Sequence, residues 1–239
     1  MSSDPGALYL LPNTLGETAA EAVIPAGALD RARTLDYFIA EHPKSARALL
    51  KRIGLPRALQ EVRIERLDHN TPAGEIALLL APVLDGRDAG LLSEAGLPAV
   101  ADPGAALVKM AHDKGVRVVP LSGPSSLMLA LAASGLEGQR FVFHGYLPVK
   151  PHDLAATLKD LERQSARLDQ TQIFIETPYR NDATLAAMLR ALRDDTLVCV
   201  AADLTLESEM VKTRPAAAWR RDAPRLKGRP TVFLVLSRG

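Results

Sequence analysis

Ala89-Gly90-Leu91-Leu92-Ser93-Glu94-Ala95-Gly96-Leu97-Pro98-Ala99-Val100-Ala101-Asp102-Pro103-Gly104 is the stretch on which the reading of the fold turns. Ala89 to Leu92 is a compact strand candidate, small and apolar throughout. Ser93 to Gly104 follows as a loop rich in Gly, Pro and small side chains. Asp102-Pro103 then carries an N-cap and first-turn signal, and a helix runs from there to about Asp113, with Gly115 as its stop. Strand, Gly-rich loop and helix in that order make a βα unit. In open α/β sheets ligands sit outside the carboxyl ends of strands, where such loops supply backbone groups. Gly96 and Gly104 allow backbone to approach a ligand closely. Asp102 either caps its helix or accepts hydrogen bonds from a ligand.

The same alternation extends in both directions. Upstream, Leu8 to Leu11 is a strand stopped by Pro12 and followed by Asn13 and Gly16. Tyr37 to Ala40 is a second strand, ended by Glu41-His42-Pro43. Ser45 to Ile53 reads as a helix closed by Gly54. Val62 to Leu67 is a short strand, and a helix spans about Pro72 to Leu84. Downstream, Val116 to Val119 is a strand, and Ser122-Gly123-Pro124-Ser125-Ser126 opens a helix through Ser134. Strands at Phe141 to Phe143, Ile173 to Ile175, Leu197 to Ala201 and Val232 to Leu236 alternate with helices at Leu154 to Leu161 and Asp182 to Leu192. The pattern predicts an α/β chain of open sheets covered by helices. The turn around Pro120 to Pro124 is the expected boundary between two α/β domains, 1–120 and 121–239.

Composition narrows the function classes. Of 239 residues, 47% are apolar, enough for substantial cores, and Lys plus Arg (29) nearly balance Asp plus Glu (28). A net charge of +1 argues against a protein that wraps nucleic acid by bulk charge, but leaves room for a local basic patch. The single cysteine, Cys199, lies in the apolar run Leu197-Val198-Cys199-Val200 and reads as a buried strand thiol. Nothing approaches the length of a membrane span, and Met1 to Gly6 does not read as a signal peptide, so a cytoplasmic location is expected. The five histidines are scattered, without CxxC or HExxH, and no metal site is expected. Neither GxxxxGK[ST] nor a GxGxxG after the first strand occurs, which disfavours nucleoside triphosphate and nicotinamide enzymes of standard type.

Two further loops are candidate binding elements. Ser122 to Ser126 precedes a helix whose N-terminus would favour an anionic group such as a carboxylate. It is equally readable as a turn with a capping serine. Glu176-Thr177-Pro178-Tyr179-Arg180 follows a strand, and its carboxylate either faces a ligand or pairs with Arg180.

Taken together, these loops resemble the SAM-dependent tetrapyrrole methylase superfamily, and within it most closely the ribosomal RNA small-subunit methyltransferase I branch. Tyr9 to Gly16, Leu92 to Gly104, Val118 to Ser126, and Phe143 to Pro148 with Ile175 to Arg180 carry the resemblance, in order and across nearly the whole chain. It implies two α/β domains with S-adenosyl-L-methionine (SAM) in the cleft between them, usually a homodimer, and no metal. It also implies that SAM meets Leu11, Pro12, Ser93, Gly96, Asp102, Ser125 and Ser126, with its adenine end near Glu176, Ala201, Ala202 and Leu204. The acceptor implied is a ribose 2′-hydroxyl of small-subunit rRNA.

The chain departs from that branch in three places. Glu41-His42-Pro43-Lys44-Ser45 stands where the branch has an acidic residue and a threonine-arginine-histidine run. Asp203-Leu204-Thr205-Leu206 replaces a glutamate-leucine-threonine-lysine stretch. The sequence stops at Gly239, as a short form without the branch's extra C-terminal segment. A methylase of a tetrapyrrole or other small molecule, and a non-catalytic SAM-binding protein, therefore stay open beside the rRNA reading. Lys44, Arg47, Lys51, Arg52 and Arg57 form a candidate basic surface for RNA. Glu41, His42, Glu94 and His144, all expected in loops after strands, are the candidates for taking a proton from the acceptor, Glu41 first.

Overall fold

The computed structural model describes residues 4–238 and divides into two units, one ending at Ser125 and the other starting at Ser126. Residues 121–125, placed by the sequence with the second part, stay on the first sheet for a local reason. The Leu121 amide donates to Leu10 O at 3.0 Å, and Gly123 lies so tightly on Pro12 that a Cβ there would stand 2.1 Å from Pro12 Cβ.

The first unit runs β1 (Ala7–Leu11), α1 (Ala20–Val23), α2 (Ala26–Thr34), β2 (Tyr37–Ala40), α3 (Pro43–Ile53), β3 (Arg63–Arg66), α4 (Ala73–Leu84), β4 (Ala89–Leu92), α5 (Ala105–Asp113) and β5 (Arg117–Pro120). Its five strands are all parallel, in the order β3-β2-β4-β1-β5. Helices cover both faces, so β1, β2 and β4 are apolar at nearly every position. Alternate residues then feed different cores. Tyr9, Leu11, Phe38 and Leu92 pack with Leu29 of α2 and Leu49, Leu50 and Ile53 of α3. Leu8, Tyr37, Ile39 and Leu91 pack with Leu80 and Val83 of α4 and Leu107 of α5. Gly90 has no room for a side chain: a Cβ would lie 2.5 Å from Leu11 Cδ1 and 2.8 Å from Phe38 Cδ1.

The second unit runs α6 (Ser126–Ser134), β6 (Phe141–Tyr146), α7 (Pro151–Leu168), β7 (Thr171–Ile175), α8 (Asn181–Ala191), β8 (Leu197–Ala202), β9 (Met210–Pro215), α9 (Ala216–Arg221) and β10 (Thr231–Leu236). Its sheet is mixed, ordered β6-β7-β10-β8-β9, with β10 antiparallel to both neighbours. Leu154, Leu158 and Leu161 of α7, spaced for one helical face, pack with Leu185 and Met188 of α8 and Trp219 of α9 over Phe174, Val200 and Phe233. The Phe174 and Phe233 rings stack at 5.6 Å.

Two expected helix starts are corrected. α5 begins at Ala105, not at Asp102-Pro103, because Gly104 at φ 131° makes the turn into the helix. α4 begins at Ala73, one residue after the expected start, with Pro72 standing before it as the N-cap. Among the described residues no helix is long and apolar enough to cross a membrane.

Candidate functional site

In the first unit the candidate residues converge because the sheet is in register. Leu11 of β1 faces Leu92 of β4, which faces Ala40 of β2. Pro12, Ser93 and Glu41 each come one residue later, so all three emerge side by side at the carboxyl edge. β5 ends on the same edge. From β2 the chain continues outward to β3, whereas from β4 it crosses β1 to reach β5. Adjacent strands whose chains leave in opposite directions open a crevice between their ends, the usual ligand position in such sheets. Here that crevice lies between Glu41 and Ser93-Glu94.

The loops around it are fixed by bonds that the loop sequences do not advertise. Asn13, buried at 5% exposure, holds the first loop to the fourth-strand loop. Its Nδ2 donates to Ser93 O (3.0 Å) and Glu94 O (2.8 Å), and its backbone exchanges two hydrogen bonds with Gly96. In the sequence Asn13 marks only a loop; the signal for its anchoring role is an amide directly after a strand-ending proline. The Ser93 hydroxyl is turned inward, donating to Ala95 O (3.2 Å). Gly96, Ala99, Ala101 and Gly104 all have positive φ, two of them non-glycine. Ala99 and Ala101 therefore hold a conformation that L-residues disfavour, and such strain concentrates where a backbone is shaped for a ligand. Glu94 bridges the crevice, lying 3.4 Å from His42 Nδ1 and accepting from Ser45 Oγ at 3.2 Å.

Asp102 is partly buried, with Glu41 and Glu94 near it. Burial, followed by repulsion from those two carboxylates, pushes its pKa up to about 6. Among the described residues no Lys or Arg stands within 4.0 Å of Glu41, Glu94 or Asp102. Three carboxylates with no Lys or Arg between them form an electronegative crevice that suits a positively charged ligand.

In the second unit Glu176, Ala201, Ala202 and Leu204 share one sheet edge. Val232 of β10 pairs with Ile175 on one side and Ala201 on the other, which sets Glu176 level with Ala202. Glu176 is largely committed within its own loop: it accepts from Thr177 N (2.7 Å) and lies 3.2 Å from Arg180. Ala201, Ala202 and Leu204 are buried, so what they present to this edge is chiefly backbone. The turn after β8 is strained at Asp203 (φ 52°) and Thr205 (φ 72°), and Asp203 is anchored by Arg229 at 2.6 Å. The Thr205 hydroxyl is buried without a partner among the described residues. Ser125 ends the first unit and Ser126 begins α6, both partly exposed.

His144 is not in a loop. It lies inside β6, where its Nε2 is 2.7 Å from Gln172 Oε1 of β7. The basic surface is divided: Arg57 pairs with Asp36 (3.5 Å) and Arg52 reaches Thr14 (3.3 Å), while Lys44, Arg47 and Lys51 stay exposed on α3. Among the described residues no His, Cys, Asp and Glu side chains gather as a metal site.

A parallel sheet with a Gly-rich carboxyl-edge crevice is followed by a second, mixed α/β unit, and the chain belongs to the tetrapyrrole (corrin/porphyrin) methylases, whose family pattern matches residues 20–218. It is thereby a member of a SAM-dependent methyltransferase family. The chain is 37% identical over 208 residues to a ribosomal RNA small subunit methyltransferase I of Mesorhizobium japonicum, covering 87% of this chain and 66% of that one. It is 33% identical over 233 residues to the Escherichia coli O157:H7 protein of the same name, covering 96% of this chain and 77% of that one. The methyltransferase CobJ has the same fold, with a TM-score of 0.64 at 19% identity over 97% of this chain and 94% of its own. SAM carries a positive sulfonium, and the carboxylates of the first unit fit that charge.

Proposed function

We propose that this protein transfers a methyl group from SAM to a ribose 2′-hydroxyl of small-subunit rRNA. The observation that carries the reading is 33% identity along 96% of the chain to a protein named for that rRNA. Lys44, Arg47 and Lys51, exposed on α3 beside the crevice, support it as a local basic surface on a chain of net charge +1. We assign SAM contacts in the first unit to Leu11, Pro12, Ser93, Gly96, Asp102 and Ser125. Those in the second fall to Ser126, Glu176, Ala201, Ala202 and Leu204. A cytoplasmic homodimer acting on rRNA or the small ribosomal subunit belongs to the same proposal.

Bound SAM supplies an electrophilic methyl group on a sulfonium centre. The chain's part is alignment, exclusion of water and removal of one proton. Asn13 fixes the Ser93–Gly104 loop against the first loop and so sets the crevice's shape. Ionised Asp102 gives the crevice the negative potential that a cationic ligand needs. Glu41, at the end of β2 and across from Ser93, accepts the proton leaving the acceptor hydroxyl.

The test is methyl transfer from labelled SAM to small-subunit rRNA and to 30S particles lacking the modification. Incorporation at a ribose 2′-oxygen is expected, and Glu41→Gln should slow it by about 100-fold, far more than the loss of one carboxylate weakens SAM binding. Transfer to a porphyrin fraction but to no RNA would replace this reading with that of a small-molecule methylase.

A further inference from the structure

Between α7 and α8 the second unit carries a groove of about 550 Å³. Buried Leu154 and Thr184 and the small Ala155, Ala183 and Ala187 line it, together with three cations, Lys159, Arg180 and Arg190. No carboxylate lines it. Arg180 is engaged with Glu176, but Lys159 and Arg190 are exposed and have no carboxylate within 4.0 Å among the described residues. Cations of one sign facing a concave surface that no carboxylate lines raise a local positive potential, which favours an anion.

The head of the groove adds a second feature. Tyr146 closes β6, and Tyr179 follows β7; they are 59% and 70% exposed. The two strands are parallel, with Tyr146 level with Ile175, and the loops beyond them are tied by Arg180 donating to Val149 O at 3.4 Å. Val149 lines the groove three residues after Tyr146, and Arg180 lines it one residue after Tyr179. Exposed aromatic faces beside a cationic track are the elements that hold single-stranded nucleic acid, with bases stacked and phosphates neutralised. Glu176 and Ala202 lie on this same edge of the sheet.

We infer that this groove holds a single-stranded segment of the RNA substrate, its phosphates on Lys159 and Arg190 and its bases against Tyr146 and Tyr179. The inference rests on the reading of RNA as acceptor and names the surface that grips it. A strand lying along the groove reaches the sheet edge where Glu176 and Ala202 sit.

The experiment is fluorescence anisotropy of a labelled single-stranded RNA oligonucleotide with the full chain across a salt series. The double variant Lys159→Gln/Arg190→Gln is expected to bind about tenfold more weakly at physiological salt and to lower the slope of log affinity against log salt by about 1.4, two phosphate contacts' worth. Tyr179→Ala is expected to weaken binding about five- to hundredfold with the slope kept. SAM affinity should be unchanged in both. Wild-type affinity and slope in the variants would overturn the inference, as would a loss of self-association in the double variant, which would make the groove a contact with a second copy. If the wild-type protein methylates rRNA and the variants do so at the same rate and affinity, the groove assignment falls and the rRNA reading stands. If the wild type binds RNA through the groove but methylates no rRNA, the converse holds.

Discussion

Replacing Asp102 with Asn separates two opposed effects of one carboxyl group. The folded carboxyl, with its pKa near 6, holds its proton more tightly than the unfolded one, so ionising it destabilises the fold. That penalty is absent below about pH 4, grows as the pH rises towards 6, and is complete above it. Asp102→Asn should therefore be more stable than wild type at pH 8, by about 1 kcal/mol after allowance for its partial exposure, and indistinguishable near pH 4. Denaturant melts at the two pH values measure this. SAM affinity should run the other way: if the ionised carboxylate attracts the cation, wild-type affinity rises between pH 5 and 7 and the Asn variant's does not. An equal rise in both would detach Asp102 from the ligand. The sequence showed Asp102 as either helix cap or ligand group. It could not show Glu41 and Glu94 converging on it, because those residues are brought together only by the register of β2 against β4.

At the scale of elements, the edge that collects the candidate residues depends on one loop being tied to another. Asn13→Ala removes two side-chain bonds to the Ser93 and Glu94 carbonyls and leaves Thr14 N without its acceptor at 2.8 Å. A loss of about 2–3 kcal/mol in stability is expected from urea melts, together with a weaker SAM titration, since the Ser93–Gly104 loop loses its anchor. The expected loss of stability with wild-type SAM affinity would make Asn13 purely structural. The apolar strands β1, β2, β4, β8 and β10 were legible because burial on both sides leaves unbroken apolar runs. β9 was not: Met210-Val211-Lys212-Thr213-Arg214-Pro215 is an edge strand, and its Lys, Arg and Pro are the residues that protect an edge while hiding the pattern of a strand. α2 escaped notice because its buried face is Ala28, Leu29 and Ala32, too small to give an apolar period. The carboxyl-edge loops could be located from sequence, since they follow readable strands. Their internal bonding could not, because it consists of backbone carbonyls and one amide side chain.

At the scale of the whole molecule, the proposed SAM contacts are spread over both units, and Trp219 provides a way to ask whether the ligand engages each. It is the chain's one tryptophan, 2% exposed in the core of the second unit, with its indole N–H on Val198 O at 2.9 Å. A ligand at 100 times its dissociation constant stabilises what it binds by about 2.7 kcal/mol. For a chain of this size that raises the melting temperature by about 5–10 °C. If Glu176, Ala201, Ala202 and Leu204 take part, SAM should shift the Trp219 fluorescence transition together with the far-ultraviolet circular dichroism transition. If only the first unit holds the ligand, the circular dichroism should separate into a shifted and an unshifted component, with Trp219 following the unshifted one. The second outcome would confine the donor site to the crevice between Glu41 and Ser93 and remove the proposed roles of the β7 and β8 edge. It would leave the α7–α8 groove to be judged on RNA binding alone.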